Sequence, residues 1–135
     1  MTPALIAGCT ASTRIEVDAD RTIDFMGEKA RIYATPMLVR DIEVACRNLL
    51  LERLGDGDDS VGTRVEIDHL APTLLGMTVT LTVTIVEVKG RAVTFEIAAS
   101  DDVEPICRGR HSRFVVDLAT TGERLAAKAK KAGLA

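Results

Sequence analysis

Nine consecutive residues, Met77 to Ile85, alternate without a break between an apolar side chain and threonine. Only an extended strand turns successive side chains to opposite faces, so Met77, Val79, Leu81, Val83 and Ile85 share one surface and the threonines the other. A helix would scatter both sets around its axis. The chain therefore contains a sheet with one apolar face, and that face needs a second layer to cover it.

The covering layer is predicted at Thr35-Pro36. Thr is a good N-cap, and Pro at the first helical position gives up only an N–H that has no partner there. The helix is expected over residues 36–54, stopped by Gly55, with an apolar stripe of Leu38, Ile42, Ala45, Cys46 and Leu49. Further strands are read at 14–19, 62–70, 92–100 and 106–117. Lys89-Gly90 forms a hairpin turn and Asp56 to Ser60 a loop. Residues 20–34 are irregular, with Gly27 as a breaker, and 1–12 are expected to be poorly ordered. Thr120-Thr121-Gly122-Glu123 fits a capping box that opens a short helix at 124–132 and a lysine-rich tail. One long helix on an antiparallel sheet, all in a single domain spanning 1–135, is an α+β layout of the hot-dog type, and its edges favour dimerisation.

Composition removes several functions. The 135 residues carry 17 basic and 20 acidic side chains, a net charge of −3. Nucleic-acid binding needs a positive field, and single-strand binding needs aromatic platforms. Here aromatics are 3%, with no Trp, so no nucleic-acid partner is expected and the core should be aliphatic. Cys9, Cys46 and Cys107 are odd in number and far apart, and no Cys/His cluster has metal spacing. They read as free thiols of a reducing, cytoplasmic setting. Ile6-Ala7-Gly8-Cys9 looks like a lipoprotein cleavage box, but the apolar stretch before it is too short for a signal segment. The longest uncharged run, 70–86, contains Pro72 and Gly76 and is too short to span a bilayer, so no membrane partner is expected.

Few residues can do chemistry. Glu43 stands between Ile42 and Val44, one step from the apolar stripe. It is either a solvated border residue or a partly buried carboxylate available as base or nucleophile. Thr35 is either a plain cap or a hydroxyl at a helix N-terminus, where dipole and amides favour an oxyanion. His69 ends a strand beside Leu70, Ala71 and Pro72 and is structural or catalytic. In Arg108-Gly109-Arg110-His111-Ser112-Arg113, the Arg108 and Arg110 side chains share one strand face, and those of His111 and Arg113 the other. This is a solvated edge or a clamp for phosphate or carboxylate. No nucleophile elbow and no phosphate-binding glycine loop is present.

Two blocks carry a resemblance. Tyr33-Ala34-Thr35-Pro36-Met37-Leu38-Val39-Arg40-Asp41-Ile42-Glu43 and Val61-Gly62-Thr63-Arg64-Val65-Glu66-Ile67-Asp68-His69 are similar to the fluoroacetyl-CoA thioesterase-like family of hot-dog proteins. Gly90-Arg91, Phe95, Asp101 and 109–113 follow in register, so the likeness runs from about Ile15 to Asp117. It implies catalytic roles for Thr35, Glu43 and His69. It also implies a glycine near the thioester at Gly62 and a site arginine at Arg113. Fluoroacetyl-selective members carry two phenylalanines upstream of the threonine. Without gaps these positions are Met26 and Lys29, and Glu104-Pro105 replaces a common glycine. Met26 and Lys29 would line the acyl pocket without forming an aromatic gate, so acyl groups longer than acetyl should be tolerated.

The reading is a homodimeric acyl-CoA thioesterase for small or medium acyl groups, with coenzyme A as part of the substrate and no metal or other cofactor. Two alternatives use the same pocket. One is a non-catalytic module that binds acyl-CoA or a small apolar ligand; the other is a 3-hydroxyacyl thioester dehydratase.

Overall fold

A computed structural model describes residues 4–134. The first three residues of the 1–12 stretch, and Ala135 at the end of the tail, lie outside it. Five strands form one antiparallel sheet: β1 (Thr10–Glu16), β2 (Asp58–His69), β3 (Thr78–Lys89), β4 (Ala92–Ser100) and β5 (Pro105–Asp117). Their order is β1-β3-β4-β5-β2, so β1 and β2 are the edges. Helix α1 (Thr35–Leu51) covers the apolar face, and α2 (Leu118–Lys131) follows β5 directly.

The alternating run behaves as its pattern dictates. Val79, Leu81, Val83 and Ile85 are fully buried. They meet Leu38, Ile42, Cys46 and Leu50 of α1, which are buried as well. Truncating one of these to Ala would cost about 2–5 kcal/mol through lost transfer energy and a cavity. The core is not wholly aliphatic, since Tyr33 and Phe95 are among its largest buried side chains. Burial pushes the thiols of Cys46 and Cys107 up, to about 12 and about 11.

Four boundaries differ from expectation. The described part of the 1–12 segment is tied to the sheet: Gly8 donates to the Ile85 carbonyl, and β1 starts at Thr10. It pairs with β3 along its whole length, and hydroxyl contacts add to the ladder, with Ser12 2.8 Å from Thr82 and Thr10 3.0 Å from Thr84. The threonine face of β3 is thus used within the chain. The acidic loop before Val61 is partly strand, because β2 begins at Asp58 and Asp59 pairs with Arg47 at 2.6 Å. Helix α1 ends at Leu51, where Arg53 donates to the Leu50 carbonyl and tightens the last turn. Helix α2 starts at Leu118 rather than at the threonines, because the Asp117 carboxylate accepts from the Thr120 amide at 3.0 Å.

Candidate active site

Thr35 is the first residue of α1, with Ala34 as the cap. A threonine N-cap would turn its hydroxyl back to helix amides. Here it is free to reach His69 Nδ1 at 2.7 Å, from the end of β2. Met37 and Leu38 both donate to the Ala34 carbonyl. Those amides are therefore committed, and the Thr35 hydroxyl is the group the helix start presents. The edge of the His69 ring meets Tyr33, centroids 6.4 Å apart at 83°. Its Nε2 is buried and has no hydrogen-bond partner among the described residues. Burial, which disfavours the charged ring, holds the imidazole below its ordinary pKa.

Glu43 is eight residues further along α1, roughly 12 Å at 1.5 Å per residue. Its side chain is 42% exposed, and Oε1 lies 3.5 Å from Arg113 Nη1 and 4.0 Å from His111 Nε2. Arg113 is 5% exposed. It gives Nε to Ser60 Oγ at 2.7 Å and Nη2 to the Ser60 carbonyl at 2.8 Å. Gly62 completes the slot, because a Cβ there would sit 2.2 Å from Glu43 Oε1. The ladder between β2 and β5 shifts register between Gly62 and Arg64, a bulge that re-aims the strand beside the carboxylate.

His111 and Arg113 therefore face inward rather than forming a solvated edge, and Arg113 pairs with a carboxylate of the protein itself. Arg108 and Arg110 are exposed on the other face, across from Asp68 and Glu66. Thr35 and His69 also border an open cavity of about 490 Å³ with Ile23, Phe25, Ala71 and Pro72. Phe25 lines it; Met26 and Lys29 are exposed and do not. Counting backward from Thr35 could not find Phe25, because 19–34 is irregular.

Four further residues, Arg21, Tyr33, Asp41 and Ser60, were missed by the sequence reading. Asp41 is buried, accepts a 2.5 Å hydrogen bond from the Tyr33 hydroxyl, and takes both Nε and Nη2 of Arg21 at 2.9 and 3.1 Å. Burial and the adjacent carboxylate push the Tyr33 hydroxyl well above its ordinary pKa. The signal was present: Asp41 follows Leu38 by three residues, on the apolar stripe. Ser60 carried no signal beyond its acidic neighbours.

Known proteins share this fold and much of this sequence. A sequence profile described as fluoroacetyl-CoA-specific thioesterase matches residues 17–119. A fluoroacetyl-CoA thioesterase of Streptantibioticus cattleyicolor is 35% identical over 91 residues, which are 67% of this chain and 66% of that relative, just under two thirds of its length. A solved structure of the fluoroacetyl-CoA thioesterase FlK superposes with a TM-score of 0.84 at 26% identity, covering 93% of this chain and 98% of the other. A hot-dog-like protein from Thermanaerovibrio acidaminovorans gives 0.83 at 27% identity, covering 90% and 91%. A thioesterase superfamily member from Thermus thermophilus gives 0.82 at 28%, covering 97% and 96%. By its fold, and by the profile that spans most of its length, the chain belongs to the fluoroacetyl-CoA-specific thioesterase family of thioester hydrolases.

Proposed function

We propose that this chain is a homodimeric acyl-CoA thioesterase whose site combines Thr35 and His69 of one protomer with Glu43, Gly62 and Arg113 of the other. The observation that carries this reading is the separation of two half-sites. The hydroxyl–imidazole pair opens on an apolar cavity, and the carboxylate lies roughly 12 Å away along α1. Both flank β2, an edge strand with Val61 and Val65 exposed. An antiparallel β2–β2 pairing centred between Val65 and Glu66 sets Gly62 of one protomer opposite the partner's His69. The two half-sites then meet twice, once at each end of the seam.

In such a site the thioester carbonyl lies at the start of α1, polarised by the Thr35 hydroxyl and the helix dipole. The Glu43 carboxylate either takes a proton from the attacking water or attacks the carbonyl itself, and hydrolysis then regenerates it. The C–S bond breaks, and the coenzyme A thiolate leaves with a proton that His69 is placed to relay. In single turnover in ¹⁸O-water, label on Glu43 identifies direct attack, with water opening the mixed anhydride at the Glu43 carbonyl. We assign the protein to the cytoplasm, which fits three free thiols, and no described helix is long and apolar enough to cross a membrane.

Hydrolysis of an acyl-CoA panel, followed with a thiol reagent, tests the activity. No thiol release from any member would leave a binding module, and loss of water from a 3-hydroxyacyl thioester without thiol release would leave a dehydratase. Mixing Glu43→Gln and His69→Ala protomers tests the shared site. Random exchange should restore about a quarter of parent activity, since half the dimers are mixed and each has one intact site. No restoration would put both half-sites to work within one chain.

A further inference from the structure

His111 is fully buried, yet the chemistry above does not use it. Its tautomer follows from its partners. Nδ1 lies 2.8 Å from the Arg64 carbonyl, which can only accept, so Nδ1 carries the proton. Nε2 lies 3.2 Å from Arg113 Nη1, which can only donate, so Nε2 presents a lone pair. The ring plane is held by Phe95, stacked at 26° with centroids 6.4 Å apart. Burial, the neighbouring Arg113 charge working with it, holds the imidazole below its ordinary pKa.

Arg113 places two of its nitrogens on Ser60. The third, Nη1, is the one that faces Glu43, and His111 is what it binds. A point 3.2 Å from His111 Cε1 is also where a Gly62 Cβ would stand, so the ring forms one wall of the carboxylate slot. The bulge after Gly62 delivers the Arg64 carbonyl that sets the ring's proton.

We propose that His111 is a positioning residue for Glu43: its Nε2 lone pair orients Arg113 Nη1, which fixes the carboxylate at the angle catalysis needs. This rests on, and deepens, the thioesterase reading above. The ring exchanges no proton with substrate. It acts through Arg113, so its loss should lower kcat and leave KM for acyl-CoA nearly unchanged.

Two amides of different reach test this. In His111→Asn the side chain ends near the Nδ1 position, where it can bond the Arg64 carbonyl but cannot reach Arg113. In His111→Gln it extends to the Nε2 position and offers Arg113 an acceptor. Positioning predicts a kcat about 10–100-fold lower for Asn, the usual cost of losing an outer hydrogen-bond partner, with Gln within about threefold of parent. In a Glu43→Gln background the Asn loss should shrink to about threefold or less, because the group it orients is gone. Equal losses for Asn and Gln, or an Asn loss carried over in full to that background, would overturn the proposal and leave the thioesterase reading standing. A Glu43→Gln enzyme with parental turnover would overturn both. If the Asn variant does not fold, His111→Leu replaces it as the variant without an acceptor at the Nε2 position, and is read against Gln by the same margins.

Discussion

The two halves of the proposed site hold their side chains by opposite means. Around Glu43 nearly everything is saturated. Arg113 has its three nitrogens assigned, His111 has both of its own, and a glycine is needed for the carboxylate to fit. Around His69 one atom is left over, since Nε2 is buried without a partner beside a cavity lined mainly by apolar residues. A carboxylate that must hold one angle benefits from a rigid surround. A ring nitrogen that must bind an incoming group benefits from having nothing to give up first, because a buried polar atom without a partner is costly until the ligand arrives.

The comparison can be broken at several points. The largest effect is expected from Glu43→Gln, which keeps the volume and removes the charge. Turnover should fall about 10²–10⁴-fold, the range for losing a general base, in a thiol-release assay. Parental turnover would make the saturated cluster structural. Gly62→Ala comes next. Its methyl displaces Glu43 Oε1 without touching Thr35 or His69, and a shift near 1 Å should cost about 10²-fold in kcat. Circular dichroism should show the sheet intact. Thr35→Val removes the hydroxyl from His69 and should cost about 10–100-fold, with Thr35→Ser recovering most of it.

Smaller effects sharpen the apolar side. Phe25→Ala widens the cavity, so the acyl-length profile should move toward longer chains. Each methylene that fits adds about 0.8 kcal/mol, a few-fold in kcat/KM, and acetyl, fluoroacetyl, butyryl and hexanoyl thioesters read it out. An unchanged profile would remove Phe25 from the acyl pocket. The smallest is a pH effect on stability. Burial lowers the pKa of both His69 and His111, so the unfolded chain binds more protons wherever they titrate. Their contribution is complete above the unfolded value of about 6.5 and is lost as pH falls below it. The thermal midpoint should therefore drop between pH 7 and pH 5, and less so in His111→Gln.

Much of this was legible in residue order. The threonine alternation of β3, the Thr35-Pro36 helix start and the antiparallel strands follow from local chemistry, and local chemistry is what a pattern reads. Catalytic roles for Thr35 and His69 rested on the family likeness; that the two side chains lie 2.7 Å apart is seen only in the structure. What stayed hidden depends on partners distant in sequence. Asp59 looks like loop until Arg47 stands beside it. Asp41 looks like a fault in an apolar stripe until Tyr33 and Arg21 reach it. Phe25 could not be told from Met26, because an irregular segment has no period to fix which side chain faces the cavity.

That irregular segment has a closed neck. Ile23 donates to the Ile32 carbonyl and Ala34 to that of Arg21, Arg31 Nε donates to the Thr22 hydroxyl at 2.7 Å, and Arg21 is bolted to Asp41 of α1. Between these ties, 24–30 project as a tip whose shape the rest of the molecule does not dictate. A tip on a fixed neck is an exchangeable part. Residues can be added or replaced there at little thermodynamic cost, since even doubling a loop's length costs only about 0.6 kcal/mol. On the thioesterase reading proposed above, editing this one loop would change acyl preference while the helix, the sheet and the carboxylate slot stay as they are.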